Sequence, residues 1–218
     1  MNWITETTPK PRARITGLAY LLYFLTAILA QFLDGRGLVI YAHAINVVAI
    51  VSYTAVTLLS YSMFKPVNRI LSLLAALFSL AGCVVMAFGF LHLAWLPISP
   101  LVFFGPYCLM IGYLIYRSAF LPRLMGALMA LAGLGWLIFL LPNLPHSVSV
   151  CIEAFGILAE GSLMLWLVVM GVNLQQWRRQ SAQQDRRRLS MQRFLMHRFR
   201  EPVGPVPAQF DPFGSKEE

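Results

Sequence analysis

Glu153 and Glu160 stand seven residues apart in an otherwise apolar run, VSVCIEAFGILAEGSLMLWLVVMG. On a helix, that spacing brings both carboxyls to one face. An ionisable group inside hydrocarbon costs about 2.5–3.5 kcal/mol on insertion scales, so its presence asks for a use. A protonatable carboxyl at mid-depth is what a proton-coupled transporter needs. As a neutral group it is equally a hydrogen-bond partner between helices. Glu160 lies nearer the middle of the run and is the stronger candidate.

A second set of polar residues lies in the apolar segment 38–63. His43, Asn46, Tyr53, Thr54, Thr57 and Tyr61 form a broken stripe at helical spacing. The stripe belongs on the inner face of a bundle, lining a solute path or bonding neighbouring helices. A third set comes from depth. His43, His92 and Glu153 fall near the same end of their segments, with His146 just outside, and such a group could hold a divalent metal or haem. Its sequence spacing is not diagnostic. HExxH, GxSxG, P-loop and GxGxxG signatures are missing from the sequence. Cys83, Cys108 and Cys151 show no zinc spacing, and an odd count excludes a complete disulfide framework. No catalytic residues, metal ligands or cofactor are assigned on these grounds, and the chain reads as non-enzymatic.

The elements that position these residues are apolar helices. Of the 218 residues, 58% are hydrophobic and 12% charged, too apolar a chain for a soluble domain of this size to cover. Six segments, roughly 15–33, 38–63, 67–95, 100–117, 121–141 and 148–171, approach the ~20 apolar residues that cross a bilayer. Turn-like separators divide them: DGRG, KPVN, PISP, RSAFLPR and PNLPHS. The predicted fold is therefore all-α, a polytopic six-span transmembrane bundle. The first run is too long for a signal-peptide core and no A-x-A site follows, so it reads as an uncleaved span.

The net charge of +8 is distributed by loop. Lys10, Arg12 and Arg14 precede the first span, Lys65 and Arg69 lie between the second and third, and Arg117 and Arg123 between the fourth and fifth. The intervening loops are neutral, with Arg36 offset by Asp34. This alternation puts both termini in the cytoplasm of a cell-membrane protein. Residues 1–14 form the first cytoplasmic segment, 15–173 the transmembrane domain, 174–200 a basic juxtamembrane amphipathic segment and 201–218 a disordered tail. The basic segment carries eight arginines, Arg178, Arg179, Arg186, Arg187 and Arg188 among them, with apolar residues between. That composition suits an anionic lipid surface or a solvated extension that reinforces topology. Nothing in it resembles a nucleic-acid-reading module.

Small residues recur every seven positions: Ala75, Gly82 and Gly89, then Gly105 and Gly112, while Gly126, Ala130 and Gly133 share a face further on. Such stripes let helix backbones approach closely.

The block LVFFGPYCLMIGYLIYRSAFLPRLMGALMALAGLGW at 101–136 resembles the signature of the domain-of-unknown-function 4386 family of prokaryotic multi-pass membrane proteins. PRARITGLAYLLYF, LLSYSMFKPVNRILSLLAALF, LPN and AEGSLMLWLVVMGVN agree in order, so the resemblance spans most of residues 11–173. It implies a helical membrane protein and no particular activity. Glu160 matches a glutamate of the family's sixth span. Relatives carry an acidic residue where Gln31 stands, an arginine where Ser79 stands, and a longer first loop. The expectation is a membrane protein that packs, senses or scaffolds. The alternative is a small transporter or channel built on Glu160 and the stripe of the second span, and a homodimer is compatible with either.

Overall fold

The computed structural model describes residues 9–90, 99–141 and 144–200. Among them are seven helices and no strand: α1 (Pro9–Asp34), α2 (Val39–Phe64), α3 (Arg69–Phe90), α4 (Leu101–Arg117), α5 (Arg123–Ile138), α6 (His146–Val169) and α7 (Leu174–Arg200). Four contain stretches long and apolar enough to cross a membrane: Arg12–Asp34, Val39–Phe64, Arg69–Gly89 and His146–Val169. α4 and α5 are apolar but shorter, at 17 and 16 residues. The separators Pro97–Ile98 and Pro142–Asn143, the expected tail 201–218 and His92 lie outside the described residues.

The connections follow from local chemistry. Gly37 takes a positive φ of 77° in the α1–α2 turn, and Leu38 N–H returns to the Leu33 carbonyl. This αL closure caps α1 and reverses the chain. Asn68 opens α3 by accepting the Leu71 N–H on its side chain, the usual work of an N-cap asparagine. Gly171 closes α6 at φ 67°.

α1 to α6 form a ring. Each helix packs on the next, and α6 packs on both α5 and α1. Large aliphatic residues face outward: Leu18, Leu22, Leu25, Leu29 and Phe32 follow one another at helical spacing along α1 and are all exposed. The interior includes small, hydroxyl-bearing and aromatic residues, among them Thr16, Tyr20, Ala49, Ser52, Tyr53, Thr57, Ser79 and Cys108, beside aliphatic Val56, Leu114, Ile115 and Leu167. An apolar exterior around a more polar core is the arrangement hydrocarbon solvent favours. Of the interior hydroxyls, Thr16 donates to the Arg12 carbonyl, Ser52 to Val48, and Thr57 meets Ser79 at 2.6 Å.

The small-residue seams pack as their spacing predicts in α4 and α5. A Cβ on Gly112 would lie 2.6 Å from Ala130 N and 2.7 Å from the Gly126 carbonyl. One on Gly133 would lie 2.8 Å from the Gly105 carbonyl. In α3, Ala75 is buried and Gly82 lies under the Phe104 ring, but none of the described residues comes within 4 Å of where a Gly89 Cβ would stand. The seam of α3 therefore ends one heptad early.

The basic residues gather at one end of the ring. A Cβ on Gly171 would lie 4.0 Å from Arg14 Cγ, Trp177 Nε1 donates to the Met63 carbonyl, and Gln180 Nε2 donates to the Arg117 carbonyl. Phe120 stacks on Phe64, with Leu121 buried beside it, so the loop between Arg117 and Arg123 plugs this end with apolar side chains. The chain divides into two compact units, Met1–Ser181 and Ala182–Glu218. Trp177 and Gln180 belong to the first.

Candidate functional site

Glu160 is held near the middle of the ring. Tyr20 Oη on α1 donates to Glu160 Oε2 at 2.7 Å, and Cys108 Sγ on α4 lies 3.9 Å from Oε1. The Trp136 side chain of α5 lies against α6 one turn from this carboxyl. It can do so because position 156, one turn before Glu160, is glycine. A Cβ there would collide with Trp136 Cζ2, so the indole lies directly on the α6 backbone. Three helices thus converge on one carboxyl from a fourth.

Above and beside it is a cage of aromatic rings. Tyr53 of α2 packs against Tyr20 at 5.9 Å, Tyr23 at 4.7 Å, Phe104 at 5.4 Å and Tyr107 at 6.2 Å. Tyr20, Tyr53, Cys108 and Glu160 each fall about ten residues from the basic end of their helices, or ~15 Å at 1.5 Å per residue. The group is one layer at one depth.

A cleft of about 500 Å³ opens from the other end of the ring. Gln31 and Asp34 of α1 and His43 and Asn46 of α2 line its mouth, with Ala27, Ala30, Ala49 and Ile50 below. Met86 of α3 forms part of a wall, and Tyr23 lies deepest. Tyr23 is also a member of the aromatic cage, so one ring separates the cleft from the layer that holds Glu160.

The predicted polar residues fall into three places. His43 and Asn46 line the cleft, Tyr53 is in the cage, and Thr57 pairs with Ser79 between α2 and α3. Thr54 bonds its own helix at Ile50. Glu153 is exposed rather than beside Glu160, two turns nearer the start of α6, where His146, Val148, Val150 and Cys151 are exposed as well. Among the described residues, no three His, Cys, Asp or Glu form a group that could hold a metal. Lys65, Arg69, Arg117, Arg123, Arg178, Arg179, Arg186 and Arg187 are exposed. Arg123 lies 5.7 Å above the Tyr116 ring. Arg188 is in α7, but its side chain is outside the described residues.

Sequence reasoning missed Tyr20, Cys108 and Trp136. A tyrosine, a cysteine and a tryptophan in apolar runs read as packing residues. Counting from the basic loops would have put Tyr20 and Cys108 at the depth of Glu160. Only the glycine at 156 hints at Trp136.

Most of this site's α4–α6 portion lies within a stretch that comparison identifies. Residues 95–171 match the family model described as Domain of unknown function (DUF4386). The resemblance read from the sequence is therefore met by the family model. The DUF4386 stretch supplies Cys108, Trp136, Gly156 and Glu160, while Tyr20, Tyr53 and the cleft lie outside it. The chain is also similar to an uncharacterized protein of Archaeoglobus fulgidus, 29% identical over 121 residues, covering 52% of this chain and 74% of that one. No solved structure matches the chain.

Proposed function

We propose that this protein is a six-span protein of the cell membrane, with both termini in the cytoplasm, that acts without catalysing a reaction. It senses or scaffolds through a helical ring closed around Glu160. The observation that carries the reading is the Tyr20–Glu160 hydrogen bond, which ties the first long apolar helix to the last where the two pack side by side and close the ring. The apolar exterior supports membrane embedding, and the gathering of bases at one end supports the orientation. α4 and α5 span ~24–26 Å at 1.5 Å per residue, short of a ~30 Å hydrocarbon core. Arg117 and Arg123 at their basic ends can snorkel to headgroups and make up the difference. The exposed arginines of α7, with exposed Leu189, Met191 and Met196 on the same helix, suit an anionic leaflet.

A second reading, transport of a small solute, is favoured by the cleft. It is open at the end opposite the bases and stops at Tyr23, while Phe64, Phe120 and Leu121 plug the basic end. That asymmetry is the form of a carrier open to one side.

The topology is tested in intact cells with single cysteines introduced into a cysteine-free chain. An impermeant maleimide should label R36C and H146C from outside, and R69C and R123C only after permeabilisation. The reverse pattern overturns the placement of the termini in the cytoplasm, and labelling of all four from one side overturns the six-span arrangement.

A further inference from the structure

We propose that the cleft between α1, α2 and α3 binds a small amphipathic organic cation, with its ammonium or guanidinium head at Asp34 and its apolar part running down to Tyr23. The proposal deepens the second reading above by naming the class of ligand, and it rests on the cleft belonging to the outer end of the ring.

Three observations converge. The first is space. At about 500 Å³ the hollow is within the range of small-molecule sites. It exists because alanines face it from two helices, Ala27 and Ala30 from α1 and Ala49 from α2. Larger side chains there would fill it, as they do lower in the ring. The second is the polarity gradient. Asp34, Gln31, His43 and Asn46 surround the mouth, while Ala27, Ile50, Met86 and the Tyr23 ring line the depth. A molecule matched to that gradient has a polar head and an apolar body. The third is charge. Asp34 is the acidic residue of the lining, and among the described residues no cation pairs with its carboxylate. The nearby Arg36 guanidinium is taken up over the Phe32 ring, 4.3 Å from its centroid, and does not line the cleft. A positive head at the mouth therefore gains the Asp34 charge and acceptors from Gln31 and Asn46. The aromatic floor suits a cationic or apolar terminus equally well, through the face of the Tyr23 ring.

The test compares three six-carbon probes on the purified full chain: hexylammonium, hexanol and hexanoate. Binding is followed by calorimetry and by the shift in unfolding temperature. Hexylammonium should bind and raise Tm, with hexanol at least tenfold weaker and hexanoate without effect. D34N should abolish the preference for hexylammonium over hexanol. A27F should fill the hollow and abolish binding of both. Asp34 is exposed, so D34N tests the idea even if A27F fails to fold. Equal binding of hexylammonium and hexanol, or a preference that survives D34N, overturns the proposal. Cysteine labelling does not involve the cleft, so a wrong topology and a wrong ligand class give separate failures.

Discussion

At the scale of single residues, Glu160 is where the chain accepts the cost of a carboxyl in the middle of an apolar helix. Its return is a hydrogen bond at 2.7 Å from Tyr20, at the seam where α1 meets α6. Removing the donor with Tyr20→Phe should cost about 1 kcal/mol, the net value of one such bond. Glu160→Gln keeps an acceptor for the tyrosine and should be nearly neutral in unfolding temperature. Glu160→Leu strands the Tyr20 hydroxyl in the interior and should cost about 1–3 kcal/mol. Thermal unfolding in detergent ranks the three variants, and a double-mutant cycle between Tyr20→Phe and Glu160→Leu should show coupling. If Tyr20→Phe changes nothing, the bond does not close the ring. Glu160 was legible in the sequence because charge in an apolar run is conspicuous. Its partners were not, because tyrosine, cysteine and tryptophan carry no mark that separates a hydrogen-bonding role from packing until three helices meet.

At the scale of elements, the sequence was most informative where physical constraint is repetitive. Apolar run length set the helices, and turn residues set their ends: Gly37 and Gly171 take the positive φ that closes α1 and α6, and Asn68 caps α3. Two differences have clear causes. α1 begins at Pro9 rather than near residue 15, because helix geometry continues past the apolar stretch into its basic flank. Gly89 is not packed against any of the described residues, which place no helix against that face at the last turn of α3. The seam between α4 and α5 gives a paired prediction. Gly112→Ala puts a methyl into the Ala130 and Gly126 backbones, which cannot give without moving a helix. It should cost about 1–3 kcal/mol. Gly89→Ala meets nothing and should be neutral or slightly stabilising through helix propensity. Equal effects in a thermal unfolding series would mean that close backbone approach does not hold α4 to α5.

At the scale of the whole molecule, the two ends of the ring differ, and the difference was only half visible in the sequence. Charge alternation indicated which loops share an end. It could not indicate that the RSAFLPR loop folds Phe120 and Leu121 inward as a plug, or that Trp177 and Gln180 clamp that plug from the start of α7. Those contacts join residues more than fifty positions apart, and nothing in local composition encodes them. They change what truncation should do. The basic segment begins at Leu174 by composition, yet the compact unit of the ring runs to Ser181. Deleting 182–218 should therefore leave the ring inserted, with an unchanged unfolding temperature. Deleting 174–218 also removes the Trp177 bond to the Met63 carbonyl and both Gln180 bonds to the Arg117–Ala119 backbone. At about 0.5–1.5 kcal/mol for each bond lost, it should lower stability by roughly 1–3 kcal/mol, since the bonds share one hinge and are not additive. It should also expose Phe120 and raise the reactivity of a cysteine placed at Ser118 toward a soluble maleimide. Equal stability and reactivity in the two truncations would show that the plug holds without its clamp, and that the helix after Asn173 serves only the surface it lies on.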